Sequence, residues 1–359
     1  MFKIYKIYLI KKFLIKFTII CLIFFSLTII LGVLEEISFL QNQNKNFLYP
    51  FFLALLNSPI TLFEIFPFIF LLTTQFFFYE IFKNEELYLL KVNGLSNFKI
   101  INLLFFLSLM MGLISIIFFY NFSSILKFKY SALKNELSND NKYLAMVNES
   151  GLWIKDEVDD KKLIIKSKKI EKNFLTNVTI NEFDSNFDII RTIQSNKVDI
   201  GNFNWIIYEP KISKSNNTSE SQKLIYFKTN FNDTKIINFF SNFSTLNLIE
   251  LLTLKKDFEK FGYSSNDIMS HLYKLIYTPI FYGILTMFSC ILVFNFLNNT
   301  SLLLHVTIGI LTSVIIYYIN FIFNSLGNNA NLPINLSIIF PLIIISIINF
   351  IGLININEK

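Results

Sequence analysis

Long apolar runs occupy both ends of this 359-residue chain, and a polar stretch separates them. Three runs precede the polar stretch and three follow it. Each is close to the length of about 20 apolar residues that a helix needs to cross a bilayer. The runs are 13–34, 59–79, 101–122, 272–296, 302–323 and 333–353. Because lipid offers an open backbone no hydrogen-bonding partner, this pattern predicts six transmembrane helices, arranged three plus three around an insert.

Charged residues are concentrated in the insert, and the flanking thirds are nearly free of them. The composition, 53% hydrophobic with 43 Phe, is too apolar for an ordinary soluble domain. The net charge of +6 comes largely from five lysines that precede or begin the first run. They are Lys3, Lys6, Lys11, Lys12 and Lys16. Such a cluster is typical of the cytoplasmic side, so it predicts cytoplasmic termini and an insert in the periplasm rather than a nucleic-acid partner.

A cleaved signal peptide is the alternative interpretation of this N-terminus, since lysines followed by an apolar stretch are typical of one. The apolar run is too long for that, and no small-residue cleavage site follows it. We therefore expect an uncleaved membrane anchor and a multi-pass protein of the bacterial inner membrane.

The insert alternates polar and apolar residues in short runs, as half-buried β-strands do. The runs are 163–166, 177–183, 189–193, 197–200, 205–208 and 223–228. Residues 201–204, Gly-Asn-Phe-Asn, predict a hairpin loop between two of them. From 246 to 261 the period becomes that of an amphipathic helix, with Gly262 as its stop. We expect an antiparallel sandwich or roll, followed by a helix that leads back to the membrane.

The connection between the second and third runs is long enough to hold structure of its own. Residues 79–94 predict one short helix with acidic residues early, apolar residues spaced for docking and Gly94 at its end. Two interpretations remain open, a docking site for a partner or a solvated turn with local ion pairs of at most about 0.5 kcal/mol each. In the docking interpretation, the contact residues are Glu85, Glu86, Leu87, Leu90 and Gly94.

The order of several short motifs resembles the LptF/LptG family, the permease subunits of the lipopolysaccharide-export ABC transporter. The similar positions are Pro59, Pro67, Glu86, Leu87, Gly94, Leu95, Pro333 and Pro341. The insert opens at 151–156 with Gly-Leu-Trp-Ile-Lys-Asp, which looks like the LptG branch rather than its LptF sister. Each motif is short, but together with the three-plus-three layout they cover essentially the whole chain.

The resemblance implies an α-helical membrane protein with six transmembrane helices and an inserted all-β, jellyroll-like periplasmic domain. The transmembrane parts would be 1–121, including a coupling segment at 80–99, and 271–359, with the periplasmic domain at 122–270. The implied partners are an LptB-like ATPase dimer, an LptF-like sister permease, LptC-like and LptA-like bridge proteins and lipopolysaccharide itself. Glu86 would be the acid that meets the ATPase.

The chain contains no Gly-rich phosphate loop, so we expect that it does not hydrolyse ATP itself. The resemblance implies a non-catalytic transport subunit rather than an enzyme. We expect the partner ATPase to bind ATP and Mg, with no cofactor or metal in this chain. His271 and His305 stand far apart in sequence and have no other ligand residues at metal-binding spacing. Glu64 lies near the predicted start of the second span, where an interfacial position is expected.

The sequence departs from the family pattern at the outer end of the first run. Family members often carry a basic residue there, close to the lipid phosphates, but this chain has Glu35 and Glu36. The ligand could be less phosphorylated, a divalent cation could bridge acid and phosphate, or other residues could take the role. The nearest basic candidates are Lys127, Lys129 and Lys134, whose alternative role is that of interfacial lysines reaching water.

Other classes of protein fit less well. A lipid-modifying membrane enzyme predicts paired acids or His at the interface, and Glu35 and Glu36 have no His beside them in sequence. A sensor predicts a cytoplasmic output domain, for which the chain has no segment. Another lipid or lipoprotein exporter with a large periplasmic domain is the remaining alternative.

Overall fold

A computed structural model describes most of the chain, and its residues separate into two units. The described residues are 4–41, 46, 48–137, 152–158, 161–171, 173–184, 187–214, 219–240, 242–260, 265–296, 301–328 and 332–357. One unit comprises 1–126 with 266–359, and the other comprises 127–265. Gly151, Gly262 and most of the turn predicted at 297–301 lie outside the described residues.

Helices dominate the first unit and flank the sheet of the second. In chain order they are α1 (Ile4–Leu40), α2 (Tyr49–Lys83), α3 (Glu86–Val92), α4 (Asn97–Ile114), α5 (Asn121–Leu137), α6 (Asp233–Phe240), α7 (Leu248–Lys260), α8 (Asn266–Phe296), α9 (Leu302–Asn328) and α10 (Ile334–Asn357). A π-helical turn, Ser115–Tyr120, joins α4 to α5. Within the described ranges, six helices are long and apolar enough to cross a membrane, three on each side of the insert. The predicted three-plus-three layout is confirmed.

The second spanning helix begins earlier than its sequence suggested. Pro50 lies in the first turn of α2, where a missing backbone N–H costs little because the first N–H groups of a helix have no partner within it. Pro59 lies inside the helix, so the prediction that it opens the span is wrong. Glu64 accordingly lies about four turns into α2, on an exposed face, rather than one turn from its start.

Small and hydroxylic residues pack α4 closely against α8. A Cβ added to Gly112 would lie only 2.6 Å from the Cα of Pro279, so glycine is needed for this approach. One turn away, the Thr286 hydroxyl donates a 2.8 Å hydrogen bond to the hydroxyl of Ser108. Such contacts are typical of helix pairs that associate within a bilayer.

A single antiparallel sheet forms the centre of the second unit. Its described strands are β1 (Leu152–Val158), β2 (Lys161–Ser167), β3 (Lys169–Glu171), β4 (Phe174–Phe183), β5 (Ile189–Asp199), β6 (Asn204–Tyr208), β7 (Lys211–Lys214), β8 (Ser219–Ser221) and β9 (Leu224–Lys228). The main order is β1-β2-β4-β5-β6-β9, while β3 pairs with β4, and β7 with β5 and β8. The inserted antiparallel β domain is thus confirmed, and so is the hairpin between β5 and β6.

The two ends of this sheet meet, which makes it a roll rather than two separate sheets. β1 and β9 stand at opposite ends of the strand order. Asp156 in β1 nevertheless accepts hydrogen bonds from Thr229 and Asn230, the two residues that follow β9. Of the two open interpretations, sandwich or roll, the described strands support the roll.

The helix predicted after the sheet is α7, and its start is set by a capping box. Asn247 accepts hydrogen bonds from the backbone N–H groups of Ile249 and Glu250, and the Glu250 carboxylate accepts one from the N–H of Asn247. Leu251 and Leu254 are buried, as their predicted helical face requires. The amphipathic helix is confirmed, beginning at Leu248 rather than at 246.

Candidate functional site

The connection between α2 and α4 is divided at Asn84 and Glu85. α2 continues to Lys83, and Glu85 then takes a left-handed conformation with a φ of 57°. A residue with a Cβ rarely adopts that conformation, and a right-handed helix cannot continue through it. The prediction of one helix over 79–94 is therefore wrong, because the first five of those residues belong to α2 and only Glu86–Val92 form α3.

The other end of α3 is closed by a Schellman motif. Gly94 has a φ of 79°, and its N–H donates to the carbonyl of Lys91 at 2.9 Å. The N–H of Leu95 donates to the carbonyl of Leu90 at 3.1 Å, which completes the pattern. Gly94 thus ends the helix as predicted. Left-handed residues on both sides give α3 defined ends.

Glu86, the first residue of α3, is bound to α1. The Nζ of Lys12 lies 2.7 Å from Glu86 Oε1 and 2.6 Å from Oε2. The Tyr8 hydroxyl donates to Oε2 at 2.9 Å, and the Asn84 side-chain amide donates to Oε1 at 3.2 Å. Burial alone would raise the pKa of the Glu86 carboxyl, but the hydrogen bonds from Lys12, Asn84 and Tyr8 hold that pKa below its ordinary value. Glu86 is therefore a carboxylate at neutral pH.

The same face of α1 also holds the end of α2. Glu80, in the last turn of α2, forms a salt bridge with Lys12 at 3.3 Å and a second one with Lys16. Tyr8, Lys12 and Lys16 follow one another at intervals of four, so they project from one side of the helix. We call these five side chains, Tyr8, Lys12, Lys16, Glu80 and Glu86, the α1 latch.

Sequence reasoning missed the latch because it treated the N-terminal lysines only as a topological anchor. Lys11 does lie exposed on α1, as that interpretation expects, but Lys12 has a side chain only 10% exposed. The available signal was the spacing of four between Tyr8, Lys12 and Lys16 on a largely apolar helix. Which acids they would meet could not be read from spacing, because Glu86 is 74 residues from Lys12.

The predicted contact residues of α3 point in different directions. Leu87 is buried, Leu90 is half-buried, and Glu85 is exposed. The exposed apolar face of the helix is instead formed by Tyr88, Leu89 and Val92. We call these three residues the α3 face. Beyond the far end of α3, a cavity of about 210 Å³ lies between α3, the first turn of α4 and the last turn of α10.

The candidate lipid contacts fall into two groups. Glu35 is exposed near the end of α1, whereas Glu36 is only 1% exposed. On α5, Lys127 and Lys134 stand over the ring of Tyr130 at 4.8 and 5.2 Å, and Lys134 donates to its hydroxyl at 2.8 Å.

Lys134 is buried and Lys129 is exposed. Of the three α5 lysines, Lys129 is therefore the best placed to meet a ligand from solvent.

The two histidines have separate partners. The Nε2 of His271, on α8, lies 2.9 Å from the hydroxyl of Tyr120 in the π-helical turn. His305, on α9, packs edge-on against the ring of Tyr79, with ring centroids 5.4 Å apart. Among the described residues, no group of three or more His, Cys, Asp or Glu stands close enough to hold a metal ion.

Comparison with known families gives one match. The family model described as "Lipopolysaccharide export system permease LptF/LptG" matches residues 7–355, nearly the whole chain. The matched range includes the complete α1 latch, the α3 face and the β roll. A search of curated proteins returned no significant match.

Proposed function

Since this chain belongs to the LptF/LptG family of lipopolysaccharide export permeases, we propose that it is the LptG-type transmembrane subunit of an ABC exporter. The exporter lifts lipopolysaccharide from the outer leaflet of the inner membrane. An LptF-like permease completes the membrane unit, and LptC-like and LptA-like bridge proteins carry the lipid onward. The β roll lies in the periplasm and receives the acyl chains, and both termini are cytoplasmic.

The energy for this transport comes from a separate LptB-like ATPase dimer that binds ATP and Mg. Moving one CH₂ group out of an apolar environment costs about 0.8 kcal/mol, so extraction of a whole lipid needs an external source of free energy. Apolar, Phe-rich helices lower that cost by giving the chains an alternative apolar surface. Closing the cavity between the two permeases when ATP binds then drives the lipid towards the periplasm.

The α3 face is the observation that carries the proposed ATPase contact. Tyr88, Leu89 and Val92 are large apolar side chains exposed on a seven-residue helix outside the spanning segments. This helix contacts the lysine-bearing end of α1 through Lys12 and Glu86, and lysines beside a span favour the cytoplasmic side. An exposed apolar patch rimmed by polar residues is typical of a protein interface.

The proposal of an LptG-type rather than LptF-type subunit rests on the motif at 151–156. Its residues alternate in β1, with Leu152, Ile154 and Asp156 buried and Trp153 and Lys155 exposed. The buried members support the roll. The exposed Trp153 lies under the Nζ of Lys166 at 4.8 Å.

Lipid contact is assigned to exposed charges rather than to buried ones. Glu35 and Lys129 are accessible, whereas Glu36 and Lys134 are buried among neighbouring side chains. A divalent cation bridging Glu35 to a lipid phosphate is consistent with the oxygen ligands such cations prefer.

Co-purification tests the proposal. The chain, expressed with its genomic neighbours and purified through a tag, should bring down an ATPase, a second six-span permease and lipopolysaccharide. Val92→Asp should reduce ATPase recovery at least about tenfold, because a charge would then be buried at the interface. Leu48→Asp is a matched control, since Leu48 is 66% exposed and Val92 is 67% exposed. Recovery of a different lipid and no second permease would identify another exporter class.

A further inference from the structure

The Glu86 carboxylate has its hydrogen-bonding capacity filled from within the chain. Oε1 accepts from Lys12 and Asn84, and Oε2 accepts from Lys12 and Tyr8. An ionised carboxylate offers about four lone-pair positions in all. A cation from a partner protein therefore cannot simply be added to Glu86. It would have to displace a donor that is already in place.

The donors also connect three helices at one point. Lys12 lies between Glu80, at the end of α2, and Glu86, at the start of α3. Asn84 and the left-handed Glu85 form the break between those acids. Since α1 holds an acid on either side of the break, the direction in which α3 leaves α2 is fixed by contacts with α1.

We infer that Lys12 and Tyr8 are positioning residues through which Glu86 fastens the coupling helix α3 to the first transmembrane helix. In this arrangement the α3 face meets the ATPase, while Glu86 transmits the movement of α3 to α1 inside the permease. This inference rests on the proposed function only in naming the ATPase as the partner of α3. The latch itself belongs to the permease alone.

A direct contact between Glu86 and an ATPase cation makes a different prediction, and a charge exchange separates the two. Glu86→Lys and Lys12→Glu should each break the latch by like-charge repulsion. In the double variant Lys12→Glu/Glu86→Lys, opposite charges face each other again. Glu80 keeps Lys16 as its cation in that variant. If Glu86 acts through α1, the exchange restores function. If it acts on the ATPase, the exchange restores nothing.

The first measurement is hydrogen exchange of the α3 amides in the purified permease without any ATPase. We expect exchange at least about fivefold faster in each single variant and close to wild type in the double variant, because a loosened helix opens more often. Lys12→Arg should keep the wild-type rate. Lys11→Glu is the matched control, since Lys11 is an exposed charge beside the latch.

The second measurement is lipid export by the complete transporter carrying the same variants. We expect both single variants to reduce export at least about fivefold, and the double variant to recover most of it, with Lys11→Glu unaffected. A double variant as defective as Glu86→Lys, together with an active Lys12→Glu, would overturn the inference. If wild-type permease binds no ATPase, the proposed function fails. The hydrogen-exchange rates of the α3 amides in the variants still decide whether the latch exists.

Discussion

The carboxylate of Asp156 in β1 accepts a 2.7 Å hydrogen bond from the hydroxyl of Thr229, the residue that follows β9. Asn230 adds its backbone N–H to the same oxygen and its side-chain amide to the other, both at 2.9 Å. β1 and β9 are the two ends of the strand order, so one carboxylate closes the roll. Asp156 is 1% exposed, which places this closure in the interior of the domain.

The roll should fold without the membrane helices. Its strands pair with one another in one sheet, and residues such as Ile165, Ile180 and Trp205 give it a buried core. We expect residues 142–242, expressed as a soluble fragment, to give a β-rich circular dichroism spectrum and a cooperative melt. A helical or unfolded spectrum would contradict the independent roll.

Replacing Asp156 should open the closure. Asp156→Ala removes the acceptor of the buried Thr229 hydroxyl and of the half-buried Asn230 N–H, and loss of a buried group's acceptor costs about 1 to 3 kcal/mol. We expect a decrease of about 2 to 4 kcal/mol in the free energy of unfolding of the fragment, measured in urea by tryptophan fluorescence. Glu157→Ala is the control, because it removes a neighbouring but exposed carboxylate. An equal effect of both variants would show that Asp156 has no special role.

Arg191 is the chain's single arginine, and it should not be replaceable by lysine. Its Nε and Nη2 lie 2.8 and 2.6 Å from Oε1 of Glu182, which is opposite it in the β4–β5 pair and only 2% exposed. Lysine has a single ammonium and cannot reproduce this two-nitrogen contact.

We expect Arg191→Lys to lower the free energy of unfolding of the fragment by about 1 to 2 kcal/mol, and Arg191→Met by about 3 to 5, because a buried carboxylate would lose its main cation. The double variant Arg191→Met/Glu182→Gln should recover part of that loss. If Arg191→Lys is as stable as wild type, the contact of two guanidinium nitrogens with Glu182 does not contribute to the stability of the fragment.

Local sequence patterns predicted the helices and strands of this protein better than they predicted contacts between elements that are far apart in the sequence. The runs 189–193 and 197–200 predict two separate strands, yet residues 189–199 form the single strand β5. At the junction, the Ser195 hydroxyl contacts the carbonyl oxygens of Lys197 and Tyr208, where the partner of β5 changes from β7 to β6. Only the pairing of strands far apart in the chain reveals this.

The candidate site shows the same division. Gly94 was predicted as the end of α3 because a left-handed residue is needed there and glycine adopts that conformation easily. The break at Glu85 could not be predicted, since a glutamate rarely takes the left-handed conformation. In this structure the break lies next to Glu86, whose latch partners Tyr8 and Lys12 are more than 70 positions away in the sequence.

Gly112 should tolerate no side chain. An added Cβ would lie 2.6 Å from the backbone of Pro279, which cannot move aside as a flexible side chain can. Gly112→Ala should cost about 1 to 3 kcal/mol through overpacking and lower the melting temperature of the full chain in detergent. Gly32→Ala is the milder comparison, because its Cβ would approach Ala54 no closer than 3.1 Å, at the methyl group. Similar melting temperatures for Gly112→Ala and wild type would show that α4 and α8 can separate.

The orientation of the chain can be tested with exposed positions of matched accessibility. Tyr226, in β9, is 72% exposed, and Val92, in α3, is 67% exposed, so single cysteines at either site should react equally well in detergent. The native Cys21 and Cys290 would first be replaced by alanine.

In intact cells whose inner membrane is closed and whose outer membrane is permeabilised, an impermeant thiol reagent should label Tyr226→Cys and not Val92→Cys. The reason is that the lysine-rich end of α1, which contacts α3, favours the cytoplasm. A third cysteine at Leu48, before α2, should be labelled like Tyr226→Cys. Labelling of Val92→Cys alone would invert the topology, place the β roll in the cytoplasm and remove the proposed export direction.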